Sequence, residues 1–193
     1  MKRTSDDPRV SRTLEAIDRA FRDMVLEDGF GGVTVRALCQ RARVNKNTFY
    51  RYYGSIEDLA AEVMAGYSDQ WRARRASVTD ARSAGASARE LFLFGAAQDQ
   101  LYETITCDPA WEGVQRTLQN KASGDHEAHV PAGFTPTQWQ LYYAYISQSA
   151  LGMYRAWVAG GKAVPVQEAA DLAAETIAAG AKAMLQNMGV NPR

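Results

Sequence analysis

Lys46, Asn47, Thr48, Tyr50 and Arg51 place ammonium, amide, hydroxyl, phenol and guanidinium groups in one short stretch. Such groups reach phosphate oxygens and base edges, and a helix N-terminus adds its own attraction for phosphate. They fall on the outer side and first turn of a helix if Asn45 caps it and Phe49, Tyr52 and Tyr53 turn inward. Just before them, Val35, Leu38, Cys39 and Ala42 recur at steps of three and four, the apolar stripe of another short helix. Thr34 is its natural N-cap, because a threonine hydroxyl can accept a backbone N–H of the first turn. The turn between the two helices falls at residues 41–44. A helix pair of this kind, with a polar outer face on its second member, is what a major-groove reader needs. A plain helical hairpin with a solvated face would use the same residue types, so this stretch alone leaves both readings open.

Other candidate chemistry is thin. His126 and His129 are three apart in a Gly-, Ser- and Pro-rich stretch, without Cys, Asp or Glu at convincing metal spacing, which favours a solvated loop over a metal site. There is no nucleophile elbow, P-loop or GxGxxG pattern, and neither Ser149 nor Cys107 has a visible base partner. No catalytic residue, metal or cofactor is expected, and an enzyme is disfavoured.

The elements that must hold the polar stretch are helical by pattern. Asp7-Pro8 reads as an N-cap and first helical position, opening a helix that buries Val10, Leu14, Ile17, Phe21 and Val25 and stops at Gly29. After Tyr53, Gly54 breaks the chain and Ser55 caps a long helix over residues 56–78, with Glu57 and Asp58 suited to its positive end. Residues 79–87 read as a break, and 88–106 as one central helix, apolar almost all round, with Gln98 and Asp99 inside it. Asp108-Pro109 restarts the chain, 120–134 reads as a long loop, and Thr135-Pro136-Thr137-Gln138 as a capping box. The last two helices run to about residue 159 and from 166 to 188.

Composition bounds the rest. The 193 residues are 46% hydrophobic and 23% charged, with zero net charge, as in an ordinary soluble protein. The charge is unevenly spread: residues 1–55 carry 11 Lys/Arg against 7 Asp/Glu, and the remainder is acidic by the same margin. A basic third on an acidic body fits a nucleic-acid reader attached to something that is not one. In the opening tail, Lys2 and Arg3 could touch a DNA backbone. Two cysteines make no disulfide framework, and no apolar run is long enough to span a membrane, so a cytoplasmic protein is expected.

From Arg12 to Leu59 the chain resembles the DNA-binding domain of the TetR family of bacterial transcription regulators. The matching residues are Ile17, Ala20, Phe21, Gly29, Phe30, Thr34, Val35, Leu38, Cys39, Ala42, Val44, Lys46, Thr48, Phe49, Tyr50, Tyr53, Ser55, Glu57 and Leu59, in the family's order and spacing. Arg43 stands where the family commonly has Gly, Asn47 where a small residue is frequent, and Ile56 where a phosphate-contacting Lys is common. Ser149-Ala150-Leu151-Gly152 through Trp157 to Gly160 also resembles C-terminal domains grouped with regulators of dihydroxyacetone-kinase operons.

The resemblance implies an all-α fold, with a three-helix helix-turn-helix domain over residues 1–55 and a helical ligand-binding and dimerisation domain over 56–193. It implies a homodimer on double-stranded operator DNA, read through Thr34, Arg36, Lys46, Asn47, Thr48, Tyr50 and Arg51. Family members dimerise through their last two helices, which puts Trp157, Ala173, Ile177, Gly180 and Met184 at the expected interface. Aromatic content and helical spacing make Phe92, Gln98, Tyr102, Trp111, Tyr142, Tyr145 and Ser149 candidates for a pocket. The expected effector is a largely apolar or aromatic small molecule that tilts the 56–78 helix. A repressor released by such a ligand is the leading expectation. The alternatives are a coactivator whose C-terminal domain binds a partner protein, and a ligand-binding module that no longer reads DNA.

Overall fold

In a computed structural model that describes residues 7–77, 84–122, 130 and 133–190, the chain is built of α-helices, and no strand occurs among the described residues. In chain order these are α1 (Pro8–Asp28), a 3-10 turn (Phe30–Gly32), α2 (Val35–Ala42), α3 (Lys46–Tyr52) and α4 (Ile56–Ser77). Then follow α5 (Ala84–Ala96), α6 (Gln100–Cys107), α7 (Trp111–Ala122), α8 (Pro136–Ala159) and α9 (Val166–Met188). Lys2, Arg3, His126 and His129 lie outside the described residues.

Helix starts follow from local side-chain chemistry. The side chains of Asp7, Thr34, Asn45 and Thr135 each accept a first-turn N–H, of Arg9, Ala37, Thr48 and Gln138. Thr135 and Gln138 bond reciprocally, completing the capping box. Gly29 closes α1 at φ +78°, a conformation that L side chains avoid.

The middle of the chain departs from expectation in three places. Residues 88–106 are two helices, because the chain breaks at Ala97–Asp99. There the Gln98 side-chain amide donates to the Phe94 carbonyl at the end of α5, and the Asp99 carboxylate accepts the Tyr102 N–H to open α6. An apolar run conceals such a break, since both helices bury the same residue types. The expected break at 79–87 is shortened from its far end: α5 already starts at Ala84, and residues 78–83 are not among those described. Similarly, α7 extends to Ala122, into the stretch read as a loop.

Two compact units result. One runs to Gln70 and takes in Asp99–Lys121; the other takes in Trp71–Gln98 and the chain from Ala122 onward. These borders differ from the expected division at residue 55: most of α4, together with α6 and most of α7, folds with the N-terminal helices. In that unit Ile17, Phe21, Val25, Leu38, Phe49, Leu59, Ile105 and Val114 are fully buried. Arg22 and Asp18 pair at 2.9 Å on α1. The Tyr67 hydroxyl on α4 donates to both oxygens of Asp99, at 2.7 and 2.9 Å, and its ring meets Tyr102 at 5.1 Å. Burial, and then this bond, push the Tyr67 phenol well above its ordinary pKa.

In the C-terminal unit α5, α8 and α9 enclose a core of Ala88, Tyr142, Ala150, Ile177, Ala181 and Leu185. Small residues let the axes come close. A Cβ built on Gly85 of α5 would lie 2.9 Å from the Ala174 carbonyl oxygen and 3.2 Å from the Ala178 Cβ on α9. One built on Gly180 would collide with the Tyr145 hydroxyl of α8.

Three outcomes follow from these contacts. Replacing a helical glycine by alanine ordinarily gains up to about 1 kcal/mol. Gly85→Ala should instead lower the melting temperature, because overpacking of about 1–3 kcal/mol outweighs that gain; an unchanged or raised midpoint would contradict the close α5–α9 approach. Arg43, at φ 55° and ψ 39°, closes α2 in the left-handed region. Arg43→Gly should therefore stabilise by about 0.5 kcal/mol, the relief of about 1–2 kcal/mol of strain less the entropy of a freer unfolded chain, read as a higher urea midpoint. For Tyr67 the folded pKa exceeds the unfolded value of 10.0. Its contribution is complete below that pH and is lost as pH rises towards the folded value. The stability advantage of wild type over Tyr67→Phe should therefore shrink in melts taken above pH about 10.

Candidate nucleic-acid interface

α3 is held from below. Phe49 is completely buried and Tyr53, the residue that closes the helix, nearly so, with ring centroids 5.6 Å apart. Tyr50, next along the helix, sets its ring edge-on to Phe49 at 5.4 Å and is 54% exposed. Lys46, Asn47 and Arg51 are exposed and Thr48 is half-buried, so α3 turns its aromatic anchors inward and its polar groups out. Asn45 Oδ1 accepts both the Thr48 N–H at 2.7 Å and the Thr48 hydroxyl at 2.9 Å, leaving the threonine oxygen to serve as an acceptor.

The start of α2 stands beside this face. Val33 and Val35 share with Tyr50, Phe30, Gly31 and Ile56 the wall of an open cavity of about 260 Å³. Thr34 and Arg36, their neighbours in sequence, are both exposed, although the Thr34 hydroxyl oxygen also caps Ala37. Left-handed backbone at Arg43 gives the turn between α2 and α3 the geometry that glycine would supply, so the departure from the usual residue leaves the turn intact.

Several neighbouring groups are withdrawn from such a surface. Arg41 donates through both terminal nitrogens to Glu27 of α1, at 2.5 and 2.6 Å; this bond holds the Glu27 carboxyl below its ordinary range and raises Arg41. Ile56 is buried. At the start of α4 the Ser55 hydroxyl oxygen accepts the Asp58 N–H, while the Asp58 carboxylate accepts the Gly54 N–H. Cys39 is buried, which pushes its thiol up and leaves it inert.

The expected pocket residues divide between the two units. Tyr102 and Trp111 are buried in the N-terminal unit, whereas Phe92, Gln98, Tyr142, Tyr145 and Ser149 belong to the C-terminal one. Within the latter, Phe92 meets Tyr154 at 5.8 Å and Trp157 at 5.6 Å. Tyr142 instead meets Phe134 at 5.4 Å and Trp139 at 6.0 Å. Tyr142 and Tyr154 are about 18 Å apart along α8 by helix rise. Tyr145 lies over Gly180, and the Gln98 amide is spent on Phe94.

Three of the expected interface residues are also taken by internal packing, among them Gly180, which lies under Tyr145. Ala173 is 0% and Ile177 1% exposed, in the core of their own unit. The stripe of small residues on α9 serves contacts with α5 and α8, which a sequence pattern cannot tell from contacts with a second chain. Trp157 bonds the Val164 carbonyl through its indole N–H and so closes the α8–α9 loop; Met184 is half-buried. Other apolar residues of α8 and α9 are exposed, among them Leu141 and Leu172, more than half exposed, and Ala179 and Ala183 further along α9. The spacing 172, 179, 183 was the available signal for that face.

Comparison with known proteins agrees with the local geometry. Residues 19–63 match the model of the family described as bacterial regulatory proteins, tetR family. YxbF of Bacillus subtilis (strain 168), described as an uncharacterized HTH-type transcriptional regulator, is 35% identical over 54 residues, which cover 28% of this chain and 14% of that protein. Among solved structures, FadR from Bacillus subtilis, a transcriptional regulator in complex with stearoyl-CoA, aligns with TM-score 0.55 at 16% identity, over 86% of this chain and 98% of that one. The fatty acid degradation regulator FadR from Bacillus halodurans aligns with TM-score 0.55 at 16% identity, over 91% and 97%. At that identity the likeness is one of fold. The matched segment holds α2, the left-handed turn and α3, so the helix-turn-helix segment of this chain is similar to that of the tetR family of bacterial regulatory proteins.

Proposed function

We propose that this protein is a repressor that binds operator DNA as a homodimer and is released by a largely apolar small molecule. The observation that carries the DNA reading is the outer face of α3, where Lys46, Asn47, Tyr50 and Arg51 are exposed over the buried Phe49. Tyr50 and Asn47 would read base edges, and Arg36, Lys46 and Arg51 would meet phosphates. Two copies are needed, because one seven-residue helix covers too little DNA to specify a site. The exposed apolar residues of α8 and α9, Leu141, Leu172, Ala179 and Ala183, support a pairing of those helices between chains.

An apolar effector is supported by the aromatic interior of the C-terminal unit, where Phe92, Tyr154, Trp157, Phe134, Trp139 and Tyr142 are gathered. Stearoyl-CoA, bound by the FadR of similar fold, carries one long apolar acyl chain, although its coenzyme A part is polar and anionic. An effector can act only by its different affinity for the DNA-competent and released arrangements.

The test uses duplexes enriched from a random pool on the full-length protein. Tyr50→Ala should weaken binding to the enriched duplex by about tenfold, the loss expected for one base-reading contact, with helical content unchanged. Arg36→Ala should weaken enriched and unselected duplexes alike and flatten the salt dependence, as loss of a phosphate contact does. Light scattering should give two chains per bound site. Unchanged affinity in both variants at matched salt would reject α3 as the reader.

A further inference from the structure

Asp108 sits at the corner between α6 and α7, far in sequence from the helix-turn-helix, yet its carboxylate joins the two. One oxygen accepts the Ala110 N–H at 2.8 Å and so opens α7; the other accepts the Gly31 N–H at 2.9 Å. Gly31 is the middle residue of the 3-10 turn that leads into α2. A Cβ there would stand 3.4 Å from both carboxylate oxygens, so the loop lies directly against the side chain. Gly31 and Ala110 both line the open cavity beside Tyr50. Close by, Gly113 of α7 approaches the Glu57 side chain of α4, where a Cβ would come within 3.1 Å. The α6–α7 corner is thus fitted against the lead-in to α2 and the start of α4, and one carboxylate supplies the directional bonds.

We propose that Asp108 is a positioning residue for DNA recognition: it fixes the Phe30–Gly32 turn and thereby the placement of α2 and the Tyr50 face of α3. This rests on the reading of α3 as the DNA reader. The 3-10 turn is short, and its remaining backbone bonds, Gly32 N–H to Gly29 and Val33 N–H to Phe30, lie within the turn and do not anchor it to the rest of the unit. The Asp108 bond does. Its two acceptors are matched to two donors on different elements, which an amide at this position cannot reproduce, since it offers one acceptor oxygen and an NH2 group. Loss of the bond leaves the apolar anchors in place, among them Phe30 at the start of the turn, buried with its ring 6.3 Å from Phe21, and frees the turn at Gly31. Sequence-specific contacts, which demand exact placement, then suffer more than phosphate contacts, which do not.

Asp108→Asn tests this with the full-length protein, the duplex enriched on wild type and the unselected pool, at matched salt. The expected result is a fall of about tenfold on the enriched duplex, the scale of one misplaced base contact, with pool binding within about twofold, the size of a minor electrostatic change. Amide hydrogen exchange should quicken at Gly31 while Leu38 and Phe49 stay protected, a change that general loosening of the fold would not confine to the turn. Equal loss on both duplexes, or unaltered exchange at Gly31, would overturn the inference. Should the Asn variant not fold, Asp108→Glu keeps the charge and displaces both oxygens, and the same selective loss is expected; wild-type behaviour there would overturn it. A wild-type protein that enriches no duplex at all would refute the DNA reading itself, separately from any result on Asp108.

Discussion

A seven-residue helix has no stability of its own in water, because nucleation costs more than so few hydrogen bonds return. α3 exists because Phe49 is driven into the core of the N-terminal unit and Tyr53 follows it. That burial does more than hold the helix. Phe49 fixes the rotation of α3 about its axis, and rotation decides which side chains face outward. With Phe49 at the bottom, Tyr50 must emerge at the side, resting edge-on against the ring beneath it. The groups that α3 turns outward depend on this single placement, together with the Asn45 cap that sets where the helix begins.

What was legible in the sequence was what local chemistry decides. The starts of α1, α2, α3 and α8 were readable because one side chain caps each of them, two to three residues from the N–H it accepts. The all-helical fold was readable from periodicity. The split between α5 and α6 was not, because Asp99 looked like a polar group stranded within an apolar helix. Its Tyr102 cap was within reach of a local reading, but its Tyr67 partner lies 32 residues away. The Asp108–Gly31 bond, 77 residues long in sequence, was invisible for the same reason. The stripe of small residues on α9 is visible in the sequence. Whether it packs on the same chain or another is a tertiary fact, and the burial of Ala173 and Ile177 answers it for those two positions.

The borders of the two units follow from where polar bonds and apolar faces meet. α4 contributes Leu59, Ala60, Val63 and Met64 to the N-terminal unit, while Trp71, further along the same helix, meets Phe94 at 5.4 Å in the other. α6 joins the N-terminal unit because each of its ends is fastened there, through Asp99 to Tyr67 and through Asp108 to Gly31. A division read from sequence motifs ends where the motif ends. A division read from contacts includes whatever the motif's supporting elements are bonded to.

Charge placement at the proposed interface has a consequence for how it would hold DNA. The start of α4 offers no cation: Ile56 is buried, Glu57 and Asp58 are acidic, and the Gly54 N–H is already taken by Asp58. Arg41 is engaged with Glu27 on the opposite flank. Under the proposed function, neutralisation of phosphates would fall, among the described residues of this face, to Arg36, Lys46 and Arg51, with Arg43 at the turn, all exposed on α2, α3 and the residues joining them. Four such cations per chain, about eight in a pair, would make binding fall steeply with salt, since each neutralised phosphate steepens the salt dependence by a fixed increment. Phosphate contacts carry no sequence information, so sequence reading would rest on accurate positioning of α3, which Phe49 provides from beneath and the Phe30–Gly32 turn from the side.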